Sequence, residues 1–368
     1  MLDLSLLPDG GMAWLDASGP DSNIVLSARV RLARNLQGMS FTGRAEDDDL
    51  DAVRERIVEA GRQSKDLKDG AVYRVGELER IERQVLHERH LISRELAGLD
   101  RQHPVRRAAA LLTNGRLGVM INEEDHLRLQ NLQSGFRLEA AYAELERLDA
   151  DLGGRLPVAF HPEFGYLTAC PTNAGTGLRA SVLIHLPGLV LTKEIAKVLQ
   201  GLSQVGLTFR GLYGEGSEVV GNFFQLSNQT TLGKREEELL DHLGKMVRQV
   251  IEYEEQAREV LESEAPAVIA DKVWRAYGLL RYARSLSFEE TMNLLSGVRL
   301  GVGLNLIRDV SVYTLNKLLV YTQPAHLAQQ EGCQLSDPEL PLHRAEYVRS
   351  TLDADAARGA NGDGVRSE

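Results

Sequence analysis

Apolar residues in the first half of the chain recur every three or four positions in three segments, which is the spacing of one buried helix face. These segments are Leu50–Ala60, Leu78–Leu86 and Leu138–Leu145. Between them lie short apolar runs bounded by Gly, Pro and Asn, a pattern typical of strands. The first half is therefore predicted to alternate single helices with groups of strands.

The predicted strands are joined by short loops. Ala108–Leu112 and Leu117–Ile121 flank Asn114-Gly115, a dipeptide that suits a tight hairpin turn. The remaining strand candidates are Leu156–Phe160, Tyr166–Cys170, Ala180–Leu186, Leu207–Tyr213 and Asn222–Ser227. Several of these loops are too short for the crossover that parallel strands need. The predicted fold class is α+β, with a largely antiparallel sheet flanked by helices.

The second half is predicted to be helical. A long apolar stripe at helical period begins after Glu236, and Pro266 interrupts it. Ser287-Phe-Glu-Glu290 has the spacing of a capping box that opens another helix. We expect an N-terminal extension at 1–20, a main domain at 21–260, a smaller helical domain for dimerisation and clients at 268–352, and a disordered tail at 353–368 that is rich in Gly and Ala.

Composition limits the class of partner. The 368 residues carry a net charge of -11, and only 5% are aromatic, which disfavours nucleic acid and favours basic protein partners. Cys170 and Cys333 lie far apart without neighbouring ligands, so neither a disulfide framework nor a zinc site is expected. No basic leader and no apolar run near the roughly 20 residues of a membrane span are present, so a cytoplasmic location is predicted.

The densest chemistry lies in Asn122–Arg128, where three carboxylates, an imidazole and a guanidinium follow the apolar run Leu117–Ile121. Taken alone, such a run is most often a solvated acidic loop. Arg29 and Arg31 are two positions apart on a predicted strand, so both side chains point to the same face. An exposed basic face and a phosphate site are about equally good interpretations of that pair.

Two further segments combine arginine with glycine. Pro171–Arg179 contains Gly175 and Gly177, which would let backbone amides approach a ligand, although a plain hairpin is the commoner meaning. Arg210–Glu218 has three glycines around Glu215, as in a mobile loop that closes over a ligand, or simply a flexible surface turn.

Together these motifs resemble the guanidino (phosphagen) kinases. The resemblance rests on Asn122–Arg128, on the Cys170-Pro-Thr-Asn-x-Gly-Thr run with its Arg179-Ala-Ser, and on Arg210-Gly-x-x-Gly-Glu215. Within that family the pattern is most similar to the bacterial protein arginine kinases. It is strong over roughly residues 20–255 and weaker in the helical remainder.

The resemblance implies a role for each motif residue. The nucleotide phosphates would be bound by Arg29, Arg31, Arg128, Arg179 and Arg210. Glu124 would be the catalytic base and Glu215 the second carboxylate at the acceptor guanidinium, supported by Glu123 and Asp125. Cys170 would lie beside the substrate, and His126 would either contact the nucleotide or satisfy strand backbone groups. ATP and Mg²⁺ are the implied cofactors, with Mg²⁺ held by phosphates and water rather than by a protein cage.

The resemblance also implies a substrate and partners. Metabolite kinases of the family carry a helical domain of about a hundred residues before the first arginine strand, which here begins near residue 24, so a protein substrate is expected. A Clp unfoldase–protease, a zinc-binding activator and a homodimer are implied as partners. Leu340–Ala345 keeps only Arg344 and Ala345 of the family's phosphoarginine-binding element, so weak feedback is expected. A kinase for free arginine and a non-catalytic adaptor are the alternatives.

Overall fold

The sheet that organises the molecule has eight strands, all of whose neighbouring pairs are antiparallel. The computed structural model describes residues 2–99, 104–212 and 219–362. The strands are β1 Val25–Arg34, β2 Ala71–Tyr73, β3 Ala110–Thr113, β4 Leu117–Ile121, β5 Leu127–Ser134, β6 Phe160–His161, β7 Gly165–Tyr166, β8 Leu178–His185, β9 Leu207–Arg210 and β10 Phe223–Asn228. The order in the sheet is β2-β3-β4-β5-β1-β8-β10-β9, and β6 and β7 form a separate small hairpin. The predicted antiparallel fold class is confirmed.

Helices cover one face of this sheet and build the second domain. They are α1 Asp47–Arg62, α2 Arg80–Glu88, α3 Leu138–Gly153, α4 Pro187–Leu191, α5 Ile195–Gln204, α6 Glu236–Glu264, α7 Pro266–Tyr282, α8 Phe288–Gly303, α9 Val312–Tyr321, α10 Pro324–Glu331 and α11 Leu340–Gly362. Ala28, Val30 and Leu32 of β1 point into a core shared with α1, α3 and α6. Their neighbours Arg29 and Arg31 therefore point to the opposite face.

The all-helical second domain packs against the sheet rather than standing apart. Its core includes Leu26, Leu183 and Phe223 from the strands. One half of the predicted capping box is present, since the Ser287 hydroxyl accepts a hydrogen bond from the backbone N–H of Glu290 at 3.1 Å. No helix in the described ranges is both long enough and apolar enough to span a bilayer.

Residues before the first strand join the two domains. Trp14 and Leu15 are buried with Leu132 of the sheet and Val320 of α9. The side-chain amide of Asn316 donates to the Leu15 carbonyl at 2.9 Å. The segment expected to be an extension is thus packed into the structure.

A buried polar cluster makes a second junction. The Glu88 carboxylate, at the end of α2, accepts from the backbone N–H groups of Ala325 and His326 at 3.1 Å each, at the start of α10. It also accepts from Nδ1 of His326 at 2.7 Å. Arg89 donates to Nε2 of that histidine at 3.0 Å and to the Gly10 carbonyl at 2.8 Å. One cluster therefore ties together three remote parts of the chain.

Two strand predictions are largely wrong. For Leu156–Phe160, strand structure begins only at Phe160, because Pro157 has no N–H and Val158 makes only one isolated bridge. For Tyr166–Cys170, only Tyr166 is in a strand, since Pro171 starts a single 3₁₀ turn.

The predicted disordered tail is also wrong as far as Gly362, because α11 continues to that residue. Ala354, Ala356 and Ala357 favour helix. Polar contacts then fix the helix against its domain: Asp353 binds Arg281 at 2.8 Å, and Asp355 accepts from the backbone N–H of Ser311 at 2.8 Å.

Candidate active site

The five arginines singled out in the sequence share one face of the sheet. They are Arg29 and Arg31 on β1, Arg128 on β5, Arg179 on β8 and Arg210 on β9. Arg31 lies directly opposite Arg179, and Arg128 lies opposite Ala33, which points the same way as Arg31. Arg210 lies opposite Gln225, whose side-chain oxygen accepts a hydrogen bond from Arg29 at 3.1 Å. Strand register alone therefore brings together residues separated by up to 181 positions.

Two of these arginines, Arg29 and Arg31, are packed beside other positive charges. Burial, together with the positive charges of Arg128 and Arg179, lowers the pKa of Arg29 to about 10. Burial and the neighbouring arginines also lower the pKa of Arg31 well below its usual value. The Nε–H of Arg31 is buried and has no hydrogen-bond partner. Such a cluster is suited to a multiply charged anion with several acceptor oxygens.

Glu123 is the carboxylate that partners this arginine face. Nη1 of Arg128 donates to both of its oxygens, at 2.8 and 2.7 Å, and the Glu123 side chain is fully buried. Burial by itself would raise the pKa of Glu123, but the charge and hydrogen bonds of Arg128, with a hydrogen bond from Ser93, lower it. Glu123 therefore remains ionised and orients Arg128.

Glu124 is the acid of this turn that is least enclosed. It is half-buried, and Nδ2 of Asn173 lies 3.4 Å from its Oε2. Burial raises the pKa of Glu124, Arg128 opposes the rise, and the carboxylates of Asp125, Glu123 and Glu95 add to it. A raised pKa makes this carboxylate a better proton acceptor.

Asp125 and His126 point into the protein. Oδ1 of Asp125 accepts from Nδ2 of Asn35 and from the backbone N–H of Ala169, both at 2.6 Å. Nδ1 of His126 accepts from the backbone N–H of Leu36 at 3.0 Å, while its Nε2 lies 3.0 Å from the Ser40 carbonyl. Burial lowers the pKa of His126. Of the two interpretations of this histidine, the geometry favours the one in which it satisfies backbone groups.

Cys170 has a free, partly exposed thiol at the rim of the site. Its Sγ lies 3.0 Å from Oγ1 of Thr172, and it immediately precedes the turn that carries Asn173 to Glu124. The nearby glycines serve chain packing: at Gly177, with φ of 64°, an added Cβ would lie 2.6 Å from the Ala33 carbonyl oxygen. Glu215 and the rest of its glycine loop, residues 213–218, lie outside the described residues.

Sequence reasoning missed three polar contacts of this site. Gln225 binds Arg29, Asn173 reaches Glu124, and Ser93 contributes a hydrogen bond to Glu123. Gln225 carries a usable signal, because it is a polar residue inside the predicted strand Asn222–Ser227. No such pattern marks Ser93, which follows α2. Among the residues that the structure describes, no three metal-ligating side chains form a group.

Two family models match the chain. Residues 52–257 match ATP:guanido phosphotransferase, C-terminal catalytic domain, and residues 266–362 match the protein-arginine kinase McsB C-terminal domain. The chain belongs to the ATP:guanido phosphotransferase family. The boundary between the two matches falls where α6 gives way to α7 at Pro266.

Relatives and solved structures agree with this membership. The chain is 45% identical over 345 residues to the protein-arginine kinase of Symbiobacterium thermophilum, covering 93% of this chain and 96% of that protein. It is 41% identical to that of Bacillus cereus, with coverage of 92% and 95%. A lombricine kinase superposes with a TM-score of 0.55 at 26% identity, covering 72% of this chain and 71% of that one.

The substrate-free duplicated taurocyamine kinase of Schistosoma mansoni is similar with a TM-score of 0.56 at 27% identity. The match covers 73% of this chain and 41% of that duplicated chain. The family resemblance predicted from the motifs is therefore confirmed.

Proposed function

We propose that this protein transfers the γ-phosphoryl group of ATP to the guanidinium of arginine side chains in proteins. The observation that carries the proposal is the convergence of five arginines on one sheet face, with Glu124 at its edge. The match of residues 266–362 to a protein-arginine kinase domain, and relatives of that name over 93% of the chain, support arginine in a protein as the acceptor.

The arginine face would bind the triphosphate. Bidentate guanidinium groups from four strands can contact several phosphate oxygens and fix the γ-phosphorus in line with the acceptor. Mg²⁺, when bound with the nucleotide, would neutralise phosphate charge. The donor set fits a nucleotide-held ion, because both oxygens of Glu123 bind Arg128, and Oδ1 of Asp125 binds Asn35 and Ala169.

Glu124 would remove the proton from the acceptor. A guanidinium has no available lone pair, so a proton must leave as the nitrogen–phosphorus bond forms and the bond from the γ-phosphorus to the β–γ bridging oxygen breaks. The half-buried Glu124 carboxylate is suited to receive it. Glu215 would hold the guanidinium from the other side, and the Cys170 thiol would line the rim.

Partners follow from the same proposal. A Clp-type unfoldase–protease would act on the marked proteins, and a zinc-binding activator would accompany the kinase.

Apolar side chains exposed on α7 support the predicted homodimer; they are Val268, Trp274, Leu279 and Tyr282. Light scattering on purified protein with and without Trp274→Ser tests it: a change from dimer to monomer is expected, and a wild-type monomer would exclude it.

Feedback by phosphoarginine should be weak. Two N–H groups of Arg344 bind the protein itself, since Nε donates to the Thr322 carbonyl at 2.9 Å and Nη1 donates to the Leu286 carbonyl at 3.0 Å. We expect free phosphoarginine to leave the initial rate of ADP formation unchanged. Strong activation in a titration would show that Arg344, or another residue, accepts the ligand.

The decisive experiment compares acceptors. The protein is incubated with Mg-ATP and either an arginine-rich basic protein or free arginine, and phosphate that is lost in acid but retained in base is measured. We expect label on the protein, abolished by Glu124→Gln and retained in the exposed control Glu255→Gln. Label on free arginine alone would indicate a metabolite kinase. The absence of label from both acceptors would indicate a non-catalytic adaptor.

A further inference from the structure

The turn that carries Glu124 is short and tightly constrained. It connects β4 to β5, and the backbone N–H of Asn122 donates to the His126 carbonyl at 3.1 Å. Asn122 takes a left-handed conformation, with φ of 58°, and its side-chain amide donates to the Leu50 and Ala108 carbonyls. These bonds fix the two ends of the turn, but they leave the orientation of its middle to other contacts.

The carbonyls of Glu123 and Glu124 bind Arg106 and Thr42, and Asn35, the residue after β1, binds the next two residues of the turn. Its side chain has no solvent exposure. Its Oδ1 accepts from the backbone N–H of His126 at 2.9 Å. Its Nδ2 donates to Oδ1 of Asp125 at 2.6 Å and to the Leu167 carbonyl at 3.1 Å. One amide therefore binds two consecutive residues of the turn and a third segment of the chain.

Asp125 extends this connection to the segment that holds Cys170. Oδ1 of Asp125 also accepts from the backbone N–H of Ala169 at 2.6 Å, and Ala169 directly precedes Cys170. Asn173, three residues later, returns to Glu124 at 3.4 Å. The hydrogen bonds thus form a closed circuit in which Glu124 and the Cys170 segment are held at a fixed separation.

We propose that Asn35 and Asp125 are positioning residues, a buried latch that holds Glu124 and Cys170 on either side of the acceptor guanidinium. Asp125 then acts through its hydrogen bonds rather than as a reacting group. The expected effect on kcat rests on the proposed kinase function, whereas the hydrogen bonds of the latch are a property of the fold. The arginine face takes no part in the circuit, so ATP binding should be independent of it.

The latch makes a distinctive prediction about paired substitutions. In Asn35→Asp, two carboxylates face each other and the donor to Asp125 is lost. Adding Asp125→Asn restores the contact between the two side chains with reversed roles: the carboxylate at 35 accepts from the His126 N–H and from the new amide. The bonds to the Leu167 carbonyl and from the Ala169 N–H are not restored, because Oδ1 of Asp125 is the single atom that accepts from both Asn35 and Ala169 in the wild type.

The test measures kcat for arginine phosphorylation, the KM for ATP, and hydrogen exchange of the Ala169 amide. Displacement of a catalytic group by about 1 Å can cost about 100-fold in rate. We expect Asn35→Asp to lower kcat by roughly that factor, with KM for ATP unchanged and faster exchange at Ala169. The double variant Asn35→Asp/Asp125→Asn should recover part of kcat, because the contact between positions 35 and 125 returns, while exchange at Ala169 should stay fast.

The other possible outcomes would contradict either the latch or the proposed kinase function. A folded double variant as inactive as the single one would mean that the contact between positions 35 and 125 does not position Glu124, and this would contradict the latch. Wild-type kcat in Asn35→Asp would exclude the role of Asn35. Should Asn35→Asp fail to fold, Asn35→Ser is measured for the same split between kcat and KM. An inactive wild type with protected Ala169 would refute the kinase proposal and leave the latch in place.

Discussion

The sheet face and the helical domain both contain buried arginines, but they use them in opposite ways. In the helical domain the fully buried guanidinium groups bind neutral oxygens of the protein: Arg344 donates to two carbonyls, and Arg299 donates to Asn316 Oδ1 at 2.6 Å and to the Ser22 carbonyl at 2.5 Å. Burial and the charge of Arg258 lower the pKa of Arg299, but its Nη1 and Nη2 donate to these two oxygens. On the sheet, Arg29 and Arg31 are packed beside further arginines, and burial together with those charges lowers their pKa.

This contrast separates a structural arginine from a binding arginine. A guanidinium that binds the protein's own carbonyls links two segments, and removing it exposes unsatisfied acceptors. A guanidinium held against like charges has a free-energy cost in the empty protein that an anion can relieve. Substitution of an arginine on the sheet face should therefore lower activity without lowering stability. Substitution of a buried arginine in the helical domain should lower stability without lowering activity.

Among these substitutions, Arg31→Leu should have the largest effect on the reaction rate. Removing one preorganised charged donor from a site of this kind costs about 100- to 1,000-fold in rate. Because a repelled buried charge is also removed, we expect the free energy of unfolding to stay the same or rise. Steady-state ADP formation and urea unfolding test both statements. A clear loss of stability would mean that Arg31 is part of the structural framework.

An anion that binds to the arginine face should raise the thermal stability of the protein. A ligand at 100 times its dissociation constant adds about 2.7 kcal/mol to the free energy of unfolding. We expect inorganic tripolyphosphate to raise the thermal midpoint of the wild type, and added salt to reduce this effect. Arg31→Leu at the same concentration should show a smaller rise, and an equal rise would locate the anion elsewhere.

Arg344→Leu should have the reverse effect. Leaving the Thr322 and Leu286 carbonyls without their donor costs about 1–3 kcal/mol. The rate per folded molecule should be unchanged, because Arg344 lies in the helical domain away from the arginine face. Chemical denaturation compared with the exposed control Arg275→Leu measures the loss, and a lower kcat in folded protein would break the distinction between the regions.

The smallest effect concerns pH. Because burial and nearby carboxylates raise the pKa of Glu124 above 4.5, this base is protonated, and activity is lost, as pH falls through that raised value. Glu95 contributes to the rise. Glu95→Gln should therefore shift the acidic limb of kcat/KM, followed as ADP release, to lower pH. A limb that does not move would assign it to another group.

Period and motif spacing were enough to predict the antiparallel sheet, the helical domain and the arginine set. Arg29 and Arg31 were predictable because strand period fixes their shared face. The latch was not, because Asn35 and Ala169 are 134 residues apart and their link through Asp125 appears only when the chain is folded. Leu156–Phe160 was misread because only an isolated bridge at Val158 and the short strand at Phe160 pair it with other segments, a distinction that composition does not carry.

The junction of Glu88 with Ala325 and His326 bears on how the chain matures during synthesis. Ala325 and His326 are 237 and 238 positions from Glu88 in the sequence. The Glu88 carboxylate therefore cannot accept their hydrogen bonds until α10 has been synthesised. Domains generally fold as units during translation, N-terminal part first. A nascent catalytic domain would therefore leave the Glu88 carboxylate without these donors, and ribosome-bound chains shorter than about residue 326 should remain sensitive to proteases near α2.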